Sequence, residues 1–425
     1  MSNHYKRLIK YFSSIPLLSY IIIPNDTQPD VQSDVKKFKE EYKEANDFVC
    51  GLNIKHEFSK AFSVCFREDI FYGLNFTNKN TGNTFVKKLP FKYCRISYVE
   101  DGCYGISFDF SYFFNKPQRL KYYGEYFRDI YNELKISRHK RKTTSLWYRL
   151  PLEKAFALKW EETLDYALPP MVGVLPSLFD IEDYKELKKI KEKIGNYKML
   201  ELLVPYKDGK PEIPFPIIED YYDMIQDIVP EDIGLALTPV KLNEHNFEKS
   251  GQTQTDLVEE ATNNFFSNAG VSQFLFGSNK SGSSIINAST EVDSTYMYGL
   301  NRQVERYVNY LIKNRYGEQK YKIELLDVTI FNKDKMLDSL IKLGTYGFGG
   351  SISKIAAINN LDLFDLENMT TLENDVFGFH NKFIPFQSSH TQSSDDDKKV
   401  GAPLKDDGSL TEKGEETRER DEEGR

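Results

Sequence analysis

Gly277-Ser-Asn-Lys-Ser-Gly-Ser-Ser284, and the run that follows it to Tyr316, decide how the chain is read. The eight residues are small or polar with a single cation, Lys280, and nothing apolar to bury, so they form a loop. Directly after them Met297, Leu300, Val304, Tyr307 and Leu311 recur three and four apart, which predicts the longest helix of the chain over Ser284 to Tyr316, ended by Gly317. Upstream, Thr255 to Asn268 reads as a helix. It opens with Asp256-x-x-Glu259, a spacing that permits a reciprocal cap, and stops at Gly270. Before it, residues 196 to 250 form a small unit of their own. Its parts are a strand over Met199 to Val204, a Lys207-Asp-Gly-Lys210 turn, a Pro-rich stretch, a short helix near Tyr221 to Ile228, and a second strand over Ile233 to Val240. Earlier still, Asp180 is read as the cap of a helix to Ile194, with Ile181, Tyr184, Leu187, Ile190 and Ile194 on one stripe and five lysines elsewhere. The order is helix, α/β insertion, helix, Gly/Ser loop, long helix.

Outward from this block the texture changes. Val35, Phe38, Tyr42, Ala45 and Val49 mark an amphipathic helix from Val31. Four short runs, Phe71 to Phe76, Thr84 to Lys87, Cys94 to Val99 and Tyr104 to Phe110, alternate between turn residues and predict an antiparallel meander. If Asp101-Gly102 is a two-residue hairpin turn, Glu100 faces Cys103 and Cys94 faces Asp109, so the two cysteines are not partners. A further helix is expected from Pro117 to Leu134, with Leu120, Tyr123, Phe127, Ile130 and Leu134 on one face. It ends in the basic cluster Arg138-His-Lys-Arg-Lys142. The Pro-rich Leu168 to Pro176 cannot be continuous helix and marks a boundary. Beyond Gly317, Tyr321 to Ile330 alternates like a strand, and 334 to 376 is helical apart from Gly347-Phe-Gly-Gly350. The fold class is α+β.

Of 425 residues, 40% are hydrophobic and 28% charged, with 56 Lys plus Arg against 64 Asp plus Glu, for a net charge of −8. That length suffices for several domains with a sizeable core. Residues 395 to 425 hold twelve acidic and seven basic side chains, so most of the negative excess is in the tail and the body is nearly neutral. The tail, from Gln387, has almost nothing to bury and is expected to be disordered. Cys50, Cys65, Cys94 and Cys103 show neither zinc nor disulfide-scaffold spacing, which fits a reducing compartment. At the start, Lys6, Arg7 and Lys10 precede the apolar Ile15 to Ile23. Pro16 and Pro24 bracket that run, no A-x-A-like site follows, and it falls short of the ~20 residues that span a bilayer, so a buried N-terminal segment is expected.

No catalytic constellation is visible. The chain lacks G-x-x-x-x-G-K-[ST], H-E-x-x-H and G-x-S-x-G, its six histidines are scattered, and the pairs Glu161-Glu162 and Glu259-Glu260 read as solvated faces. Neither a cofactor nor a metal site is expected, and the chain is read as a non-enzyme. In a monomer, the Lys280 loop would be an ordinary solvated loop. In a ring, the insertion would project on a helical stalk, and Ser278, Asn279, Lys280 and Ser281 could line a channel. A sparse ring of lysines would let DNA slide without trapping it, because affinity climbs steeply with each phosphate neutralised. The other reading is a monomeric nucleic-acid-binding protein that uses Arg138, Lys140, Arg141 and Lys142.

Several stretches carry a closer resemblance. They are Arg7-Leu-Ile-Lys-Tyr-Phe-Ser-Ser-Ile-Pro16, Leu89-Pro-Phe-Lys-Tyr-Cys-Arg-Ile96, Phe108-Asp-Phe-Ser-Tyr-Phe113, Pro169-Pro-Met-Val-Gly173 and Asp183-Tyr-Lys-Glu-Leu-Lys188. Downstream come Asn196-Tyr-Lys-Met-Leu200, Ala269-Gly-Val-Ser-Gln-Phe-Leu-Phe-Gly277, Ser388-Ser-His-Thr-Gln392 and Gly401-Ala-Pro-Leu-Lys-Asp-Asp407. In this shared order, over nearly the whole chain, the sequence resembles the portal proteins (head-to-tail connectors) of tailed bacteriophages, those of Gram-positive hosts above all. The resemblance implies a usually dodecameric ring at one capsid vertex, in the virion and, during assembly, in the host cytoplasm. Double-stranded DNA would be pumped through it by a separate terminase, and its other partners would be major capsid and scaffolding proteins and neck (head-tail connector) proteins, with no membrane. Carried over by position, residues 1–179 with 317–331 would build an α/β wing, 180–195 and 254–269 a two-helix stem, and 196–253 a small α/β clip that meets the terminase. Residues 270–284 would be the tunnel loop, 285–316 the long helix behind it, 332–386 a helical crown and 387–425 the acidic tail. The second stem helix, near fourteen residues, is short for a stalk.

Overall fold

The computed structural model describes residues 3–25, 35–114, 116–139, 145–196, 198–207, 209–229, 233–238, 257–272, 275, 283–317 and 320–379. The chain divides into two units, Met1–Leu366 and Glu367–Arg425. In the second, the described residues finish a helix and continue through a π-helical turn, Leu372–Val376, with the rings of Phe377 and Phe379 stacked at 5.4 Å.

The first unit is mixed α+β. Helix α1 (Asn3–Ser14) buries Tyr5, Leu8, Ile9 and Phe12, a three-and-four spacing that turns one face inward. Strand β1 (Tyr20–Pro24) carries the apolar run of the N terminus, and helices α2 (Val35–Gly51) and α3 (Ile54–Glu68) follow. Among the described residues no helix is long and apolar enough to cross a membrane.

The central antiparallel sheet has six strands: β2 (Ile70–Thr77), β3 (Thr84–Lys88), β4 (Cys94–Glu100), β5 (Cys103–Asp109), β6 (Trp147–Arg149) and β7 (Ala155–Lys159). The order is β3-β2-β7-β5-β4, with β6 on β5, so the four expected strands form two hairpins held apart by β7 rather than a simple meander. All five residues of β7 are buried, so it has no polar face, and period-two alternation could not reveal it. The sheet separates two cores by the alternation of the pleat. Phe71, Val86, Cys103, Phe156 and Leu158 face one core with α1 and α3. Ile70, Tyr72, Leu74, Ile106, Phe108, Ala155 and Ala157 face the other.

The Asp101-Gly102 hairpin pairs Glu100 with Cys103 as expected, but Cys94 lies opposite Phe108 and not Asp109. A β-bulge between Ile96 and Tyr98 adds one residue to β4 and shifts the register by one. Ser97, at the bulge, accepts a 2.8 Å hydrogen bond from Ser107. Next to it the Tyr98 ring covers Gly105, where a Cβ would fall 2.0 Å from Cζ, and Arg149 stacks on the ring at 3.6 Å.

The helix expected from Pro117 is two pieces, a 3-10 turn over Pro117–Tyr122 and α4 (Gly124–His139). Gly124 sits at φ 79°, outside the helical region, and so breaks the run there. Helix α5 spans Leu175–Asn196 and starts before Asp180, which lies inside it and is no cap. Pro176 occupies its first turn, where a missing N–H costs nothing.

The insertion is β8 (Lys198–Leu203), a two-residue hairpin of β9 (Tyr206–Lys207) and β10 (Lys210–Pro211), helix α6 (Phe215–Ile228) and β11 (Ile233–Thr238). β8 and β11 pair in parallel, Lys198 opposite Ile233 through Leu203 opposite Thr238, with α6 in the crossover. The helix begins at Phe215, a turn and a half before the expected Tyr221. Helix α7 (Leu257–Asn268) packs on α5, and Gly270 at φ 71° closes it. Asp256, of the expected cap, lies outside the described residues. Helix α8 (Ser283–Tyr316) is 34 residues, about 50 Å long, ended by Gly317 at φ 86°. Strand β12 (Tyr321–Leu325) runs antiparallel to β1, so the N terminus and residues near 320 share one small sheet. Helices α9 (Lys333–Thr345), α10 (Ser351–Ile358) and α11 (Leu363–Thr371) complete the described chain.

Candidate functional site

The residues expected to line a channel, Ser278, Asn279, Lys280 and Ser281, lie outside the described residues. So do Lys140, Arg141 and Lys142 of the basic cluster. Arg138 is in the last turn of α4, and its side chain also lies outside the described set. The structure describes what holds these segments at either end.

On the upstream side of the loop, α7 buries Phe265 and Phe266, whose rings meet His4 edge-on at 6.1 Å each. Asn268 Nδ2 donates to Ser177 Oγ at 2.7 Å and ties the end of α7 to the start of α5. After it, Val271 N–H returns to Phe266 O at 3.1 Å, the closing bond expected of a left-handed glycine cap.

On the downstream side, α8 is fixed by polar side chains that the apolar periodicity did not single out. Thr290, Asp293, Ser294, Asn301 and Gln303 are all under 5% exposed. Tyr11 donates to Asp293 Oδ2 at 2.7 Å, linking α8 to α1. Burial pushes the Asp293 carboxyl above its usual range, against the opposing pull of that hydrogen bond. Gln303 acts as a surrogate strand. Its Oε1 accepts from Lys159 N–H at 3.0 Å and its Nε2 donates to Lys159 O at 2.7 Å. Two turns on, Asn309 does the same for β12, accepting from Ile323 N–H at 2.7 Å and donating to Ile323 O at 3.1 Å, while Glu305 accepts from Leu325 N–H at 2.8 Å. One helix therefore clamps backbone groups of both sheets that would otherwise lack partners. The sequence signal was amides six residues apart on a long helix, which is indistinguishable from a solvated face until the strands are placed.

Outward from the clamp, Arg306 reaches Glu162 at 3.2 Å, Lys313 reaches Asp101 at 3.2 Å, and Arg302 pairs with Asp327 at 2.6 Å. Glu162 also accepts from Tyr104 at 2.9 Å, so one member of the Glu161-Glu162 pair is an ion-pair partner. Asp69, fully buried at φ 69°, accepts from the backbone N–H of Glu161 and Leu168 at 3.0 and 3.1 Å. It thereby fixes the 160–168 segment that leads into the Pro-rich crossing. Burial raises its carboxyl pKa more than those two donors lower it.

A cavity of about 290 Å³ lies between α2, β1 and the 353–365 segment. On its wall Asp362 Oδ2 accepts from Asn46 Nδ2 at 2.9 Å, with the thiol of Cys50 at 3.8 Å, and Lys55 donates to Asn360 Oδ1. Burial raises the Cys50 thiol, the opposite of nucleophile activation. Among the described residues no group of three or more His, Cys, Asp or Glu is placed to hold a metal ion.

No family model matches the chain, and no curated protein sequence does. Among solved structures, it is similar to a chain in the neck of an empty gene transfer agent particle, at 12% identity and a TM-score of 0.44, covering 85% of this chain and 90% of that one. A chain in the virion of a native gene transfer agent particle gives 12% identity and a TM-score of 0.40, with coverage of 84% and 88%. Likeness at this level says nothing of activity or partners.

Proposed function

We propose that the chain is a non-enzymatic, portal-type subunit that assembles into a ring around a channel for double-stranded DNA. The ring would sit at one capsid vertex, receive a terminase during packaging, and later contact neck proteins. The observation that carries this reading is the sequence of structural parts. Helices α5 and α7 pack together and flank a separate βαβ insertion; a short segment then leads to a 34-residue helix clamped to both sheets. Helix α8 follows residues 276–282 and is held from Asp293 onward by Tyr11 and by the amide clamp, which suits a subunit that is to present one lysine, Lys280, repeatedly around a channel wall. The near-neutral body fits DNA in transit, since strong phosphate neutralisation would hold the duplex still.

Native mass spectrometry and negative-stain microscopy of the full chain test this. The expected result is a closed ring with a central opening, retained in Lys280→Glu. A chain that stays monomeric at high concentration overturns the reading. If that monomer binds duplex DNA, and neutralising Arg138, Lys140, Arg141 and Lys142 abolishes the binding, the nucleic-acid-binding alternative replaces it.

A further inference from the structure

Parallel strands are normally buried on both faces by covering helices. The insertion departs from this. Its two strands are rich in leucine, yet Leu203 is 51% and Leu237 37% exposed, and among its described residues only Val204 and Ile218 are buried apolar side chains. Helix α6 has two apolar faces. Ile218, Tyr222 and Ile225 turn towards the strands, with the Tyr222 hydroxyl on Leu235 O at 3.4 Å. About 100° round the helix, Ile217, Tyr221, Met224 and Ile228 form a second stripe, exposed at 45%, 56%, 52% and 74%. An apolar surface of this extent on so small a unit is a core cut in half, the form that obligate subunit contacts take.

Charge indicates what covers it. Helix α6 carries Glu219, Asp220, Asp223 and Asp227 beside the exposed stripe and no basic residue. The β9–β10 hairpin of the same insertion places Lys207 directly opposite Lys210, both exposed. Like charges directly opposite in an antiparallel pair repel, so this pair gains from an anion between or beside them. Asp208, in the turn between the two lysines, lies outside the described residues, and Glu212 directly follows β10. The segment Lys207 to Glu212 therefore balances two cations with two anions, and it is the cross-strand lysine pair itself that α6 would meet. We propose that the insertions of adjacent copies pack head to tail, with the acidic, apolar-striped face of α6 in one copy against the Lys207/Lys210 hairpin and the exposed leucines of the next. Because the two patches differ, the contact is heterologous and repeats around a ring instead of stopping at a dimer. The inference rests on the ring reading above and names one contact that closes the ring.

The test uses the full chain with exposed Cys50 replaced by serine. Asp223→Cys and Lys207→Cys are made separately and oxidised alone and mixed. A covalent dimer in the mixture, and none in either variant alone, is the expected result. In parallel, Lys207→Glu/Lys210→Glu should lose the ring in native mass spectrometry, and adding Asp220→Lys/Asp223→Lys should restore it. Asp223→Cys cross-linking to itself would show a symmetric contact and overturn the proposal. A ring that persists in Lys207→Glu/Lys210→Glu also overturns it, assigns this face to another protein, and leaves the portal reading standing. Failure of the unmodified chain to form any ring fails both.

Discussion

Asp293 is an ionisable side chain at 1% exposure in the middle of the longest helix, held by the hydroxyl of Tyr11. Its pKa is raised above the ordinary value of 3.8, chiefly by burial. A carboxyl whose folded pKa exceeds its unfolded one binds its proton more tightly in the folded state. Its contribution is therefore complete below the unfolded value and is lost as pH rises through the folded value. Asp293→Asn keeps an oxygen for Tyr11 but cannot titrate. Urea unfolding from acid to neutral pH should show the unsubstituted chain losing stability relative to Asp293→Asn as pH rises; parallel curves would refute the assignment. Nothing in the sequence marks this residue, because an aspartate on a helix is solvated far more often than buried. What the sequence did show at this scale were the punctuating glycines. Gly270 and Gly317 stop helices where they were expected to, at φ values that side chains with a Cβ resist.

At the scale of elements, the amide clamp makes α8 a structural member of both sheets. Gln303→Met would keep length and apolar volume while leaving Lys159 N–H and C=O unpaired in a buried strand. Two such losses should cost about 2–4 kcal/mol, measured by chemical denaturation. Ile312→Val, a packing change on the same helix, should cost about 1 kcal/mol. Equal effects would mean that the clamp contributes nothing beyond packing. Strongly patterned elements were legible as elements: α2, α8, both strands of the β4–β5 hairpin and the insertion strands form within a few residues of where they were expected, although Val35, counted on the apolar face of α2, is exposed. The elements misread were those whose boundaries depend on something other than pattern. β7 is buried on both faces, α4 starts at Gly124, whose positive φ makes a break that apolar spacing runs straight through, and α5 carries Pro176 in its first turn, where proline favours initiation over termination.

Taken as a whole, the molecule keeps its cores and its insertion apart. Among the described residues, none of the three apolar clusters includes a buried residue between Ile181 and Ala261. Replacing residues 198–238 by a short Gly/Ser linker should therefore move the thermal midpoint by no more than about 5 °C, read by circular dichroism. It should also abolish the ring seen in native mass spectrometry. A large drop in the midpoint would show that the insertion supports the body, against the cluster boundaries. Read alone, the amino-acid pattern was enough for the order of the helices around the insertion, the α+β class, the near-neutral body with an acidic tail, and the lack of recognisable catalytic motifs. These are local or compositional properties that periodicity, glycine placement and counting can read. Three features came from the folded chain: β7 separates two hairpins, a one-residue bulge puts Cys94 opposite Phe108, and polar side chains of α8 replace strands at two sheets. The first and last depend on partners distant in sequence and the bulge on the pairing of one hairpin, and no local pattern records which backbone groups will be left without a hydrogen bond until the strands are in place.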